Sequence, residues 1–379
     1  VADRTRAEIF AALLTAGPSS RTDLARRLGL SQSTVTRVVN PLVDTGYLVE
    51  VGARTSGGGR PQRILRVARE RHLVAGVKLS PRSVVAVLAD LEATIVGRSQ
   101  LPVPPGADAA EVLRLAGQAV EFLLGSGEDV GARLLGVGVG VGGHVDARTG
   151  RCVLSGVMGW HDVDVAGSLS AALELPVVVN NDANALLVAE QWFGAGRDCT
   201  SLAVVTVGAG VGCALMLDGG LHTGFTGLAG ELGHIPVQFD GPVCSCGNRG
   251  CLEAVVSDQA VLSTIAERTG MPCPSVAEAV ARAQAGDAVV REVYAAMGTA
   301  LGRAMATVCN LFNPEKIILS GEGARAYDLF GPACRDALAA HAFSTAAADC
   351  ELLVHAADDD LWARGAACLA IAEAVQATR

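Results

Sequence analysis

The chain has 379 residues, half of them hydrophobic and 18% charged, enough for two or three domains with sizeable cores. Its net charge of −9 is unevenly placed: residues 1–68 carry ten arginines and five acids, net +5, and residues 69–379 carry twenty Lys/Arg and thirty-four Asp/Glu, net −14. A basic head on an acidic body predicts a polyanionic partner for one end of the chain and not for the other. No run reaches the roughly 18 apolar residues of a membrane helix. The N-terminal VADRTRAEIF lacks the apolar stretch of a signal peptide. Eight of the eleven cysteines (Cys152, Cys199, Cys213, Cys273, Cys309, Cys334, Cys350 and Cys368) sit among apolar or small residues. They read as buried thiols, which fits a reducing cytoplasm.

From the N-terminus, residues 4–16 have helical periodicity, with Ile9, Leu13 and Leu14 on one face, and Gly17-Pro18 stops them. A second helix starts in Ser19–Asp23, with Leu24 and Leu28 inward, and turns at Gly29. Ser31 caps a third helix ending at Gly46, buried along Val35, Val38, Val39 and Leu42. This is a helix-turn-helix pattern whose third helix is the reader. Gln32, Ser33, Thr34, Thr36 and Arg37 lie near its start or on its outer side, suited to base edges and phosphates. Pro41 is a misfit expected to kink or shorten that helix. Strands at 47–51 and 63–67 flank a Gly57-Gly58-Gly59-Arg60-Pro61 tip, a wing carrying Arg54, Arg60 and Arg63 toward DNA.

The body then reads as strands within 73–100, a helix at 108–124, and a buried strand entering a glycine turn at 134–146. Residues 176–196 pass from strand through Asn180-Asn181-Asp182-Ala183-Asn184 into a helix. Such a junction points polar groups into a cleft, where Asp182 could take a proton from a sugar hydroxyl. Asn181 or Asp182 as a plain helix cap is the alternative. Residues 202–217 form a glycine-centred hairpin. The segment 230–253, GELGHIPVQFDGPVCSCGNRGCLE, follows. Its His234, Cys244, Cys246 and Cys251 make a Cys₃His set for a tetrahedral structural zinc. Glu231 and Glu253 flank the set, and carboxylates match vicinal hydroxyls. Four filled ligand positions leave no seat for a water nucleophile, which argues against zinc hydrolase chemistry. His222 reads as an ordinary loop residue. A helix at 286–312, a strand at 316–323 and a helix at 362–377 complete an α/β pattern.

The ExGH–spacer–CxCGxxGCxE segment, together with the winged helix ahead of the body, resembles the ROK family (repressors, open reading frames and sugar kinases). The resemblance covers nearly the whole chain. It implies a winged helix-turn-helix over 1–70 joined to a two-lobed, actin-like/ribonuclease-H-like sugar-kinase body. The first lobe would be 71–180, completed by the C-terminal helix 360–379. The second, 181–359, would carry the zinc loop and a dimerisation surface. The ligand would lie in the cleft between lobes. Asn181-Asp182-Ala183-Asn184 matches the family's NDAN motif, which implies that Asp182 is the catalytic base position and Asn181 a sugar contact. Glu231, His234 and Glu253 match sugar-binding positions, and His234 is assigned chiefly to zinc, which otherwise has three protein ligands.

The kinase pattern is broken at one place. The family's first phosphate motif, DxGxT, corresponds to Gly76–Arg82, where Lys78 stands in place of the acid that would position the nucleotide's metal. Thr206, Gly208, Gly210 and Gly212 keep the second phosphate region, and Ser320-Gly321-Glu322-Gly323 resembles the nucleotide-side turn. On the sugar side, Gly142-Gly143 replaces a common proline-glycine, and Val157 stands where an asparagine is common. The expectation is a cytoplasmic, sugar-responsive, homodimeric or dimer-of-dimers operator-binding regulator. Repression is its expected sign, no catalysis is expected, and Asp182 is a vestigial base. The alternative is an ATP-dependent sugar kinase, with or without a regulatory head.

Overall fold

A computed structural model gives the fold and describes residues 2–54, 61–125, 127 and 129–377, with the side chains of all but 2–4, 15, 53 and 54. In the head, α1 (Ala2–Ala16) leads to the two-residue strand β1 (Ser19–Ser20), α2 (Arg21–Leu28), α3 (Gln32–Asp44), β2 (Leu48–Arg54) and β3 (Gln62–Val67). Serine caps set both inner helices: Ser20 Oγ accepts the Asp23 N–H and Ser31 Oγ the Thr34 N–H, each at 3.1 Å. Gly29, at φ +64°, ends α2 in the left-handed region that a side chain would disfavour. Ile9, Leu13, Leu24, Val35, Val38, Val39 and Leu42 form the head core, as their periodicity predicts, whereas Leu28 is only half-buried. Pro41 does not shorten α3, which continues to Asp44 and closes with the Thr45 N–H on the Pro41 carbonyl. The sheet order is β1-β3-β2; the pairing of Ser19–Ser20 with β3 left no sequence signal. The tip residues 55–60, Arg60 among them, and the Arg54 side chain lie outside the described residues.

The body begins with β4 (Leu73–Leu79), β5 (Ser83–Asp90), β6 (Ile95–Pro102), α4 (Ala109–Leu124), α5 (Val130–Arg133) and β7 (Leu134–Val141). A small sheet of β8 (His144–Asp146), β9 (Arg151–Ser155) and β10 (Trp160–Asp164) follows, then α6 (Val165–Leu173), β11 (Val177–Asn181) and α7 (Asp182–Phe193). The main sheet runs β11-β7-β4-β5-β6, with β4, β7 and β11 parallel and β5 and β6 antiparallel to their neighbours.

Next come β12 (Leu202–Val207), β13 (Val211–Leu217), β14 (Gly220–His222), α8 (Glu253–Val256), α9 (Asp258–Thr269), α10 (Val276–Gln284) and α11 (Ala288–Phe312). β15 (Lys316–Ser320), α12 (Tyr327–His341) and β16 (Glu351–Val354) precede the C-terminal α13 (Asp359–Ala377). The second large sheet runs β14-β13-β12-β15-β16. In both sheets the first strand is central, a meander of two lies on one side and two parallel strands lie on the other. The same wiring therefore occurs twice.

The chain forms two compact units, Val1–Ser155 with Trp160–Asp198 and Asp359–Arg379, and Gly156–Gly159 with Cys199–Asp358. The boundary expected at 180/181 would cut β11 ahead of its last residue and part it from α7. It falls after Asp198 because α7 packs closely on α13: a Cβ on Gly365 would come within 2.9 Å of the Ala185 backbone. The last helix belongs to the first unit by the same logic of close approach. A Cβ on Gly76 of β4 would lie 2.0 Å from the Ala363 carbonyl oxygen, and one on Gly138 of β7 would lie 1.8 Å from that of Ala366. Glycines in two central strands thus let an alanine-rich helix backbone rest directly on the sheet.

Candidate functional site

The cysteine loop lies in the second unit. The ligand-type atoms of His234, Cys244, Cys246 and Cys251 all lie within 4.8 Å of one another. Cys244 Sγ is 3.6 Å from His234 Nδ1, and Cys246 Sγ is 3.7 Å from Cys251 Sγ. The loop is closed by backbone bonds, Cys244 N–H to Asn248 O and Gly247 N–H to Cys244 O. Burial, with the Cys246 and Cys244 sulfurs alongside, pushes the Cys251 thiol up to about 12. Cys246 is also raised by desolvation, but hydrogen bonds led by the Asn248 backbone outweigh this and leave it below the usual thiol value. Three sulfurs this close resist becoming thiolates together unless a cation joins them. The four groups are therefore able to coordinate a metal ion. His234 turns Nδ1 to the sulfurs, while its Nε2 lies 3.9 Å from Glu231 Oε2. The Glu231 carboxylate thus stands near the ring nitrogen that does not face Cys244.

Glu253, the first residue of α8, faces the β12–β13 turn of the same unit. Its Oε2 accepts the Val211 N–H at 3.1 Å and its Oε1 accepts Ser245 Oγ–H at 3.3 Å. A Cβ on Gly210 would stand 2.8 Å from Oε2, so the carboxylate's approach requires glycine there. Ser245, inside the CxC, escaped the sequence reading; only its place between two cysteines could have flagged it.

Asn181 and Asp182 lie in the first unit, at the end of β11 and the start of α7, both half-buried. Asn181 is the cap: its Oδ1 accepts the Ala183 and Asn184 N–H groups at 2.9 and 3.4 Å, and its Nδ2 donates to the Gly143 carbonyl at 2.9 Å. Asn180 Oδ1 accepts from Asn184 Nδ2, bracing the junction. Asp182 presents its carboxylate toward Gly142, where a Cβ would come within 3.4 Å.

The positions of the phosphate motifs are satisfied internally. In the first unit, Lys78 Nζ is ion-paired with Asp359 at 3.0 Å and lies 5.1 Å from the centre of the Trp362 ring, both on α13. In the second unit, the Gly212 N–H bonds Thr206 Oγ1 at 3.2 Å, the Gly208 N–H bonds the Gly210 carbonyl at 3.0 Å, and the Asp258 N–H bonds the Gly208 carbonyl at 2.8 Å. The Glu322 carboxylate stands against this turn, 3.0 Å from where a Gly208 Cβ would be.

In the head, Thr36 and Arg37 project from α3 exposed, and Arg37 has no ion-pair partner among the described residues. Gln32 Nε2 reaches Thr22 Oγ1 at 3.3 Å, and Ser33 and Thr34 share hydrogen bonds with the capping Ser31. Arg63 is exposed on β3 but paired to Glu50. The eight remaining cysteines are buried free thiols. Among the described residues, no helix is long and apolar enough to cross a membrane.

Comparison with known proteins matches residues 74–373 to the ROK family and residues 1–52 to a helix-turn-helix domain. A xylose repressor of Caldicellulosiruptor bescii is 29% identical over 338 residues, 86% of this chain and 84% of that protein. The DNA-binding transcriptional dual regulator NagC of Escherichia coli is 29% identical over 341 residues, 87% of this chain and 84% of its own length. The crystal structure of a ROK family transcriptional regulator, a homolog of the E. coli MLC protein, superposes with a TM-score of 0.83 at 24% identity, covering 99% of this chain and 98% of that one. A family match across 300 residues, on a body wired as two like sheets behind a helix-turn-helix, leaves one conclusion: the chain belongs to the ROK family.

Proposed function

We propose that the protein is a sugar-responsive transcriptional regulator of the reducing cytoplasm, acting as a repressor. Its head binds an operator and its body senses a sugar or sugar derivative without phosphorylating it. The observation that carries this reading is Lys78. A ROK kinase needs an acid there to position the nucleotide's metal, and here the residue is a cation already neutralised by Asp359. The hairpin amides of Gly208 and Gly212 are spent inside the turn, and Glu322 adds a negative charge where phosphate would approach. The likeness along most of the chain to the xylose repressor supports the sign and the ligand class, and that to NagC supports a DNA-binding regulator.

The sugar-binding residues in this reading are Asn181, Asp182, Glu231, His234 and Glu253, with Asp182 a hydrogen-bond acceptor rather than a working base. His234, Cys244, Cys246 and Cys251 hold zinc. The donor set fits it: a tetrahedron with Zn–S near 2.3 Å and Zn–N near 2.0–2.1 Å has edges of roughly 3.5–3.8 Å; two of the six are 3.6 and 3.7 Å, and all lie within 4.8 Å. Bound zinc supplies a fixed cross-link, not a nucleophile. Its effect is to hold the loop on which Glu231, Ser245 and Glu253 stand. On DNA, Gln32, Ser33, Thr34, Thr36 and Arg37 of α3 face the major groove and Arg54 and Arg60 carry the wing's contacts, while Arg63, expected from the sequence to join them, is held by Glu50. Two heads of a homodimer, or of a dimer of dimers, match two operator half-sites. The sugar regulates by binding the DNA-competent and DNA-incompetent conformations with different affinity.

The test is a titration of zinc-loaded protein on duplex from its own promoter region with a panel of sugars and sugar phosphates. Specific binding that one compound weakens is the expected result, with Asp182→Ala losing that response while keeping ligand-free binding. Absence of specific binding together with ATP-dependent sugar phosphorylation would replace this reading with the kinase.

A further inference from the structure

Glu50 stands on β2 and holds two arginines of the head with one carboxylate. Its Oε1 accepts Arg21 Nη1–H at 2.8 Å, and its Oε2 accepts Arg63 Nη1–H. Arg21 opens α2, and its Nη2 also reaches Asn40 Oδ1 on the reader helix at 3.3 Å. Arg63 lies on β3. The pairs therefore tie the wing strands to α2 and, through Arg21, to α3. The hydrogen bond from Arg63, then that from Arg21, holds the Glu50 carboxyl below the ordinary glutamate range, so it stays charged at neutral pH. The Arg63 side chain is 72% exposed. Burial does not withdraw this guanidinium from DNA; the carboxylate does.

A carboxylate and a phosphate present similar paired oxygens to a guanidinium and compete for the same donors. Each arginine that reaches a phosphate adds affinity that carries no sequence information. We propose that Glu50 is the residue that limits this term: it occupies the exposed Arg63 as an internal stand-in for phosphate, while the largely buried Arg21 anchors the carboxylate. The head's sequence-independent affinity then rests on the remaining cations, and recognition rests more heavily on α3. The inference depends on the head binding DNA, as proposed above.

The experiment measures binding to an operator duplex and to a random-sequence duplex across a salt series, for the wild type, Glu50→Gln, Arg63→Ala and the double variant. Glu50→Gln should bind random duplex about tenfold more tightly, with a salt slope steeper by about 0.9 for each further phosphate neutralised. Operator affinity should rise less, because α3 fixes the register there and limits where the freed side chain can reach. Arg63→Ala alone should change random-duplex affinity by no more than about twofold, yet reverse most of the increase in the double variant. A staple that merely supports the fold would weaken binding to both duplexes and leave the slope unchanged or shallower; that result overturns the proposal. If Glu50→Gln does not fold, Arg63→Ala decides alone: a loss on random duplex as large as that of Arg37→Ala sinks it. Wild-type protein that distinguishes neither duplex from buffer would sink the DNA-binding reading itself.

Discussion

Two turns of the second unit, the cysteine loop and the glycine hairpin of β12 and β13, meet at Glu253, and they treat their polar atoms in opposite ways. In the cysteine loop, four donor atoms converge within 4.8 Å on a common point that their own hydrogen bonds do not satisfy. In the hairpin, the amides of Gly208 and Gly212 are paired within the turn and a carboxylate closes its face. Convergent thiol and imidazole groups are able to share a cation. Groups hydrogen-bonded among themselves, in the reading proposed above, take up no phosphate. Glycine content alone does not separate the cases, since both loops are rich in it. The partner of each N–H and each sulfur does.

The largest effect expected is on the cysteine loop. Cys251→Ser should abolish bound metal, read by elemental analysis, because the buried sulfur is part of a four-donor set. Chelation of the wild type should remove the stabilisation of about 4 kcal/mol that a ligand at a thousandfold its Kd contributes, seen as a fall in Tm. Full metal content in the variant would remove Cys251 from the set and with it the contrast between the turns. In the head, Arg37→Ala should weaken operator binding by about 1–3 kcal/mol, roughly fivefold to 150-fold, while the far-UV spectrum is unchanged. Equal loss on every sequence would make Arg37 a phosphate contact rather than a reader.

The hairpin side of the comparison extends to the first unit. Lys78→Met leaves Asp359 without its partner at the head of α13. Because Asp359 is 35% exposed, the cost should be about 1–2 kcal/mol, well under that of a fully buried pair. ATP should remain unbound, since the hairpin amides and Glu322 are untouched. ATP binding regained on removal of Lys78 alone would mean that the turn is open and would restore the kinase as a reading.

What could be read in advance follows the sequence distance of each interaction. The metal set lies within eighteen residues, and its chemistry is carried by residue type, so it was legible at once. So were the Ser31 cap and the buried stripe of α3. Lys78 was legible as a misplaced cation, but its partner lies 281 residues away on α13, and nothing local names Asp359 or Trp362. Asn181 was legible both as a cap and as a sugar contact; the structure spends its side chain on the cap and on the Gly143 carbonyl. Pro41 read as a misfit that would kink or shorten α3, yet α3 runs on to Asp44, its buried face held by Val38, Val39 and Leu42. The contact of α7 with α13 escaped the reading for the same reason as Asp359: it joins distant segments through small residues, which leave no signal of their own.

The smallest effect tests whether Glu253 belongs to the loop or to the hairpin. Ser245→Ala removes one hydrogen bond to Oε1 and leaves the Val211 N–H on Oε2. The bond is long at 3.3 Å and Ser245 is exposed, so the loss of stability should not exceed about 0.5–1 kcal/mol. Metal content should be unchanged, because the hydroxyl is not a ligand. If the metal-fixed loop sets the carboxylate's position through Ser245, the sugar concentration needed to release operator DNA should rise by about threefold to fivefold, while ligand-free operator affinity stays constant. An unchanged sugar response would mean that the hairpin amide alone positions Glu253. The metal would then stabilise a loop that has no share in sensing, and the contrast between the two turns would be one of stability rather than of function.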